Sequence, residues 1–205
     1  MAHIITLTGP AHCGKSTISQ LFMECEDEYF RPIHVAKYTT RPQRKNDEDV
    51  ICVDEIPEEC DLIYEQYGVR YGLKLDTVYE LLEKGRTPII VLNDIRAVED
   101  IKSILGSLAV SIFLYRKEPV YEEFYEEEKE RAGERVEDSE IERSAKTRYE
   151  KAQAIFRIYI ENIPLFDQVI LNTYDLGYTK KQVMYIVNQL EQNFGGLKEG
   201  DADVH

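Results

Sequence analysis

The segment Gly9-Pro10-Ala11-His12-Cys13-Gly14-Lys15-Ser16 constrains the fold of this chain more than any other feature. It matches G-x-x-x-x-G-K-[ST] in full, and it lies between a strand-like apolar run, Ile4 to Thr8, and a helical pattern. Glycines let consecutive backbone N–H groups curl around a phosphate, and the helix that follows presents its positive end to the same anion. The motif therefore predicts a P-loop that binds a nucleoside triphosphate.

The residue types in this loop assign roles within it. Lys15 is expected to reach the β- and γ-phosphates of ATP, and the Ser16 hydroxyl is expected to ligate Mg²⁺. We expect the backbone from Gly9 to Thr17 to make most of the contacts with ATP. The side chains of His12 and Cys13 are therefore interpreted as variable loop positions.

Short apolar runs and helical patterns alternate along the rest of the chain. The runs are continuous, as expected of strands that are covered on both faces. They are Ile33 to Ala36, Pro88 to Leu92, Ala109 to Tyr115 and Gln168 to Leu171. With the first strand they predict an α/β fold: a five-stranded parallel sheet between helices, in the three-layer sandwich of a P-loop NTPase.

Three helices can be predicted from their spacing and their end signals. The first buries a stripe that contains Ile18, Leu21, Phe22 and Cys25. The second is predicted between an Asp76 N-cap and Gly85. The last is predicted to begin at a capping box, Thr179 to Gln182, and to bury Val183, Ile186, Val187 and Leu190.

Two segments interrupt this alternation. Residues 38–75 contain short strand-like pieces at Val50 to Val53 and Leu62 to Tyr67, which predict an inserted β-rich acceptor subdomain. Residues 128–148 lie in a Glu-rich stretch with interspersed Arg and predict a helical lid; the Glu run from Glu118 to Glu142 is interpreted as a solvated helix face. The predicted division is a single domain over 1–195, with a core of 1–37, 76–127 and 149–195, and a disordered tail over 196–205.

The overall charge excludes several classes of function. The chain has 25 Lys+Arg and 39 Asp+Glu, and its net charge of −14 disfavours nucleic acid and anionic membranes as partners. The first apolar stretch is too short for a signal peptide or a membrane span, and the four cysteines show no C-x-x-C spacing. We expect free thiols, a cytoplasmic location and a small-molecule substrate.

An anionic substrate then requires a local basic cluster. Arg41 and Arg44 lie three residues apart in the segment that follows the second strand. Two guanidinium groups that converge on one spot can hold a terminal phosphate, since each can bind it bidentately. A solvated surface turn is the alternative interpretation of this pair.

With these residues the sequence resembles the guanylate kinase family over nearly its whole length. Thr40-Arg41 with Arg44 is similar to the family's T-R-x-x-R phosphate grip, and Gly68 to Gly72 is similar to its G-x-x-Y-G hairpin. Ile90 to Ile95 resembles the strand that ends in an acidic pair. Arg148 to Ala154 is similar to the helix after the lid, and Val169 to Asn172 looks like the strand whose asparagine lies beside the donor base.

The resemblance implies an ATP- and Mg²⁺-dependent transferase, a monomer or homodimer, that phosphorylates GMP or dGMP. It implies catalytic roles for Lys15, Arg41, Asp94, Arg135 and Arg148. The implied ATP site adds Asn172 to the P-loop. The implied acceptor site comprises Lys37, Arg41, Arg44, Tyr71, Asp94 and Arg131.

Several base-reading positions depart from the family pattern. Lys37 replaces a serine, Leu92 replaces the first aspartate of the strand-end pair, and Leu73 follows the hairpin where Ser or Thr is usual. The family reads guanine with a glutamate in the β-rich subdomain, and the corresponding stretch here, Asp61 to Glu65, supplies an acidic residue at that position only after a shift in register. Two alternatives stay open. One is a sugar-phosphate kinase, because Asn93 followed by Arg96 resembles the sequence of relatives that phosphorylate ribose 1,5-bisphosphate on the same scaffold. The other is a noncatalytic binding module.

Overall fold

The computed structural model describes residues 3–10, 12–43, 49–66, 68–132 and 137–195. The strands are β1 Ile4–Thr8, β2 Pro32–His34, β3 Lys37–Thr39, β4 Val50–Cys52, β5 Leu62–Gln66, β6 Val69–Leu73, β7 Thr87–Leu92, β8 Ala109–Tyr115 and β9 Gln168–Leu171. The helices are α1 Lys15–Met23, α2 Leu75–Glu83, α3 Ile95–Leu105, α4 Tyr121–Ala132, α5 Asp138–Glu161 and α6 Leu176–Gly195.

The larger of two sheets has five strands in the order β2-β7-β1-β8-β9, and every neighbouring pair is parallel. All residues of β1 and β7 are buried, because helices cover both faces of the sheet. This confirms the predicted α/β fold with a five-stranded parallel sheet. The strands begin and end within two residues of the apolar runs that predicted them.

Alternate residues of each central strand enter opposite layers of the core, as the two-residue period of a strand requires. On one face Leu7, Val91 and Ile112 pack with α1 and α6. On the other face Ile90 and Phe113 pack with α3 and α5. The three layers are therefore helices, sheet and helices. The four apolar residues predicted to be buried in α6, Val183, Ile186, Val187 and Leu190, are all buried.

Two predicted helix starts are wrong, and both errors concern capping. Asp76 lies inside α2, and the backbone N–H of Leu75 instead donates to Asp61 Oδ2, 2.7 Å away, just before β5. α6 begins three residues before Thr179, after Asp175, whose Oδ1 accepts from the N–H of Tyr178 at 3.0 Å.

Gln182 explains why the predicted capping box does not form. Its side-chain amide pairs with the backbone of Leu171 on the edge strand β9. Oε1 of Gln182 accepts from the N–H of Leu171 at 2.9 Å, and Nε2 donates to the carbonyl of Leu171 at 2.8 Å. The first helix is also shorter than predicted, since α1 ends at Met23 and Cys25 lies beyond it.

A smaller sheet has the order β4-β3-β6-β5, with β3 and β4 parallel and the other pairs antiparallel. Its inner face carries Leu62, Tyr64, Tyr71 and Leu73, which share one apolar cluster with α3. Glycine is required at Gly72, because a β-carbon there would lie 2.4 Å from Ile56 Cγ2. This packing brings the smaller sheet beside the end of β7.

Helices α4 and α5 pack against each other through Phe124, Ala145 and Ala152. The predicted lid, 128–148, thus comprises the end of α4 and the start of α5 among the described residues. Arg135 and Arg44, and the predicted tail 196–205, lie outside those residues. In the described part of the chain, no helix combines the length and the apolar character that a membrane span needs.

Candidate active site

The P-loop connects β1 to α1 at the carboxyl end of the parallel strands. Gly14 has φ 89°, a left-handed conformation that glycine adopts without strain, and directly precedes α1. A β-carbon at Gly9 would lie 2.6 Å from Cys13 Sγ and 2.8 Å from the carbonyl oxygen of Leu114. The loop is therefore close-packed against β8, and both glycines are sterically required. Ala11 is outside the described residues.

The ammonium of Lys15 folds back over this loop. It donates to the carbonyls of Gly9 and Pro10, each at 2.8 Å, and lies 3.8 Å from Cys13 Sγ. Ser16 and Thr17 are exposed in the first turn of α1. The loop therefore presents a lysine, a hydroxyl and a helix N-terminus to one side.

That side opens into a cleft of about 670 Å³. Its walls come from the P-loop, the smaller sheet, the end of β7 and helices α4 and α5. The lining residues are Gly9, Pro10, His12, Gly14, Lys15, Ser16, Thr17, Gln66, Tyr71, Asn93, Arg116, Phe124, Glu127, Arg131, Arg148, Lys151, Ala152 and Ile155. The cleft therefore brings Lys15, Tyr71, Arg131 and Arg148 together, although they are far apart in sequence.

The two lid arginines face the cleft in ion pairs with α4. Arg148 donates to Glu127 Oε2 at 2.8 Å and also to Glu128, while Arg131 contacts the same two carboxylates. Burial alone would raise the pKa of Glu128, but hydrogen bonds from Ser144 and Arg148 outweigh it and lower that pKa. The predicted solvated face of α4 is thus wrong for Glu127 and Glu128.

His12 connects the P-loop to these helices. It has φ 62°, its Nε2 lies 3.1 Å from Glu127 Oε2, and its ring meets the buried Phe124 edge-on at 4.8 Å. Burial lowers the pKa of His12, and Glu127 partly opposes that shift. His12 is therefore a structured contact between two walls of the cleft.

On the acceptor side, Tyr71 is buried and stacks on Tyr64 at 5.1 Å between ring centroids. Arg41 follows β3 and donates to the carbonyl of Pro42 at 3.1 Å. Among the described lining residues of the cleft, Tyr71 is present, whereas Arg41 and Lys37 are absent.

Lys37 is only 1% exposed and lies at the junction of the two sheets. Its Nζ donates to the carbonyl of Val91 at the end of β7, and it lies 3.4 Å from Asp49 Oδ2. Burial lowers the pKa of Lys37, and the charge of Asp49 opposes that shift. In this conformation the side chain links the sheets, and a direct contact with the acceptor stays a prediction.

Asp94 is the N-cap of α3, where its Oδ1 accepts from the N–H of Ala97 at 3.1 Å. The preceding residue, Asn93, lines the cleft, and its carbonyl accepts from Tyr159 and Gln66. The predicted site included neither Asn93, which had been noted only for the sugar-phosphate kinase alternative, nor Gln66. The position of Asn93 at the carboxyl end of a parallel strand was the available signal.

Asn172, predicted beside the donor base, packs on the P-loop and donates from Nδ2 to the carbonyl of Cys13 at 3.0 Å. Nearby, Arg116 was also missed. Its guanidinium lies 4.4 Å from the ring centroid of Tyr174 and donates to Glu123 at 2.6 Å. Arg116 follows β8 directly, so its place at the same sheet edge could have been inferred.

The P-loop fits ATP with Mg²⁺. The glycines of the loop are so closely packed that they leave no space for a side chain, which suits a loop that binds phosphate through its backbone. Ser16 is exposed at the start of the helix, where its hydroxyl can ligate a cation that the phosphates of the nucleotide also hold. Within the described residues, no group of three or more His, Cys, Asp or Glu side chains forms a metal site of its own.

Comparison with known proteins places these features in a family. The model of the guanylate kinase family matches residues 1–190. The fold is similar to that of a guanylate kinase from Anaplasma phagocytophilum, with a TM-score of 0.60 and 19% identity over 92% of this chain and 85% of that chain. No curated protein matches the chain significantly.

Two further solved structures show weaker similarity. One is the YorR protein of Bacillus subtilis in complex with phosphorylated GDP, with a TM-score of 0.41 and 13% identity over 92% of this chain and 98% of that one. The other is a fungal RNA kinase, with a TM-score of 0.45 and 16% identity over 98% of this chain and 90% of that one.

Proposed function

The chain belongs to the guanylate kinase family, and we propose from this premise that it transfers the γ-phosphoryl group of ATP to a nucleoside monophosphate. GMP or dGMP is the favoured acceptor. One observation carries the proposal: Lys15 of the P-loop, Tyr71 of the smaller sheet and the arginines of α4 and α5 line a single cleft.

Phosphoryl transfer asks a protein mainly for alignment and for neutralised charge. On the donor side, the backbone of the P-loop would hold the phosphates, and Lys15 would move from the carbonyls of Gly9 and Pro10 to the β- and γ-phosphates. Ser16 would hold Mg²⁺, which supplies further charge neutralisation when it is bound. Asn172 keeps the loop in shape through Cys13.

On the acceptor side, Tyr71 would contact the acceptor phosphate, with Arg41 and Arg44 as the proposed grip. Arg131 and Arg148 would face the phosphoryl group as it moves, with Arg135 as a further lid arginine. The phosphate of the acceptor is already an oxyanion, so the reaction needs no strong general base. Closure of the walls would exclude water and so prevent ATP hydrolysis.

A second candidate is a sugar-phosphate kinase of the ribose 1,5-bisphosphate type. Asn93, which lines the cleft, supports it. A noncatalytic binding module has less support, since such a module has little use for Lys15. A cytoplasmic location and a monomeric or homodimeric state belong to the same proposal.

The test is a coupled assay of ADP formation with ATP, Mg²⁺, all ribo- and deoxyribonucleoside monophosphates and ribose 1,5-bisphosphate. We expect monophosphates to be accepted, free nucleosides to be refused, and GMP or dGMP to lead by a modest margin. A dedicated guanine site can reject other bases by about 10⁴-fold, and Leu73 and Leu92 supply no polar partner for such discrimination. Activity on the sugar bisphosphate alone would contradict the nucleotide kinase proposal.

A further inference from the structure

Glu127 pairs with two arginines and contacts a histidine at the wall of the cleft. Its Oε1 pairs with Arg131, and its Oε2 accepts from Arg148 at 2.8 Å and lies 3.1 Å from His12 Nε2. The three partners belong to α4, α5 and the P-loop. Glu127 itself lines the cleft and is 26% exposed, so a ligand in the cleft can reach it.

Glu128 contacts the same two arginines. It pairs with Arg148, lies 3.2 Å from Arg131 Nη1, and accepts from Ser144 on α5 at 2.5 Å. It is 15% exposed and is not among the described lining residues of the cleft. Glu128 therefore joins α4 to α5 through Ser144 and Arg148, whereas Glu127 lines the cleft beside the arginines.

This arrangement leaves the arginines with little attraction for a phosphate. Two carboxylates balance two guanidinium charges, and each of the two Nη atoms of Arg148 already donates to one of the carboxylates. A carboxylate beside a triphosphate also repels it, by more in a partly desolvated cleft than in water. ATP must therefore displace Glu127 to engage the arginines fully.

We propose that Glu127 is an internal substitute for phosphate: its carboxylate occupies Arg131 and Arg148 in the nucleotide-free protein, and the γ-phosphate displaces it. The inference rests on the proposed function of the cleft. The exchange replaces one anion by another, so the guanidinium groups stay paired in both states. ADP has no γ-phosphate, so it should displace Glu127 less fully than ATP does.

The test compares wild type with Glu127→Gln, and uses Glu128→Gln as the matched control on the same helix. Calorimetry with Mg²⁺ measures the Kd of a nonhydrolysable ATP analogue and of ADP. Glu127→Gln should bind the analogue about tenfold more tightly, the size of one charge-assisted contact, and should change ADP affinity less. Glu128→Gln should bring no tightening, because its carboxylate does not face the cleft.

Three results would overturn the proposal: unchanged or weaker analogue binding by Glu127→Gln, equal tightening for ADP, or equal tightening by Glu128→Gln, which would indicate a general charge effect. Glu127→Ala repeats the test without a side-chain amide, and weaker binding by both variants would also count against it. The readout needs no acceptor. A wild type that binds the analogue but phosphorylates no monophosphate would contradict the proposed function alone.

Discussion

The side-chain amide of Asn172 lies against Gly14, so that a β-carbon at residue 14 would be 2.5 Å from Asn172 Nδ2. The same nitrogen donates to the carbonyl of Cys13. Asn172, which directly follows β9, thus packs on a P-loop that lies about 160 residues earlier in the chain. Two independent constraints, a left-handed φ and this close approach, act on one residue of the P-loop.

Gly14→Ala should therefore weaken ATP binding, because an alanine strains the left-handed φ and pushes the amide of Asn172 away from the loop. Gly85→Ala is the matched control: Gly85 also has a left-handed φ, 66°, but its β-carbon would meet nothing within 4 Å. The control should lose about 1–2 kcal/mol of unfolding free energy from backbone strain and keep the ATP affinity. Calorimetry and urea unfolding measure both. Equal loss of ATP affinity in the two variants would contradict the role of Asn172.

Lys15→Ala should reduce the rate of phosphoryl transfer by at least about 10²-fold, because a preorganised cation at the donor phosphates is lost. The free energy of unfolding should change little, since Lys15 Nζ contacts two carbonyls and, at 3.8 Å, Cys13 Sγ, all within its own loop. Lys180→Ala, which removes an exposed pair with Glu24, is the control for charge. Near wild-type turnover in Lys15→Ala would exclude the P-loop assignment.

Arg41→Ala should raise the KM for the acceptor much more than the KM for ATP. A charge-assisted contact of this kind contributes roughly 1.5–3 kcal/mol, or about 10- to 150-fold. Arg70→Ala is the control, since Arg70 is exposed on β6 of the same sheet. If both KM values rise equally, Arg41 acts elsewhere; if neither rises, it belongs to a surface turn.

Asp94→Asn separates two roles of one carboxylate. Asparagine caps helices about as well as aspartate, so the free energy of unfolding should hold, whereas Asp94→Ala should lose about 0.5–2 kcal/mol. If Asp94 also serves the acceptor, as predicted, Asp94→Asn should lose turnover while it keeps its stability. If Asp94→Asn keeps its turnover, Asp94 has no direct role in the reaction and serves only as the N-cap of α3.

The stability of the P-loop contact should depend on pH through His12. Burial lowers the pKa of His12 from 6.5, so on acidification the unfolded state takes up the proton first. The free energy of unfolding should then fall as the pH drops below about 6.5, until the folded-state pKa is passed, and should be unaffected above that value. The groups that face His12 are Glu127, Glu123, Arg148 and Arg116.

His12→Asn should remove this dependence, and asparagine tolerates the left-handed φ of 62°. The measurement is the difference in unfolding free energy between wild type and variant from about pH 7.5 to about pH 5. Burial also lowers the pKa of His3, but His3 is present in both proteins, so its contribution cancels in the difference. Parallel curves would show that His12 does not titrate differently in the folded state.

Local patterns predicted the features that local patterns control. The P-loop, the five strands of the parallel sheet and the buried stripe of α6 were visible because each depends on residues that are close in sequence. Helix starts were less visible, because any side-chain oxygen that reaches the free N–H groups can cap a helix. Asp61 reaches the start of α2 from fourteen residues before it. A pattern confined to the helix cannot reveal such a partner.

The sequence by itself determined that a phosphate loop joins a buried strand to a helix in an α/β fold, since glycine spacing and apolar periodicity act over a few residues. The tertiary structure decided which charges meet. Arg148 is paired with carboxylates twenty and twenty-one residues away, and Lys37 is buried against a carbonyl fifty-four residues away. A charged side chain takes the partner that packing brings within reach, and packing depends on the whole chain.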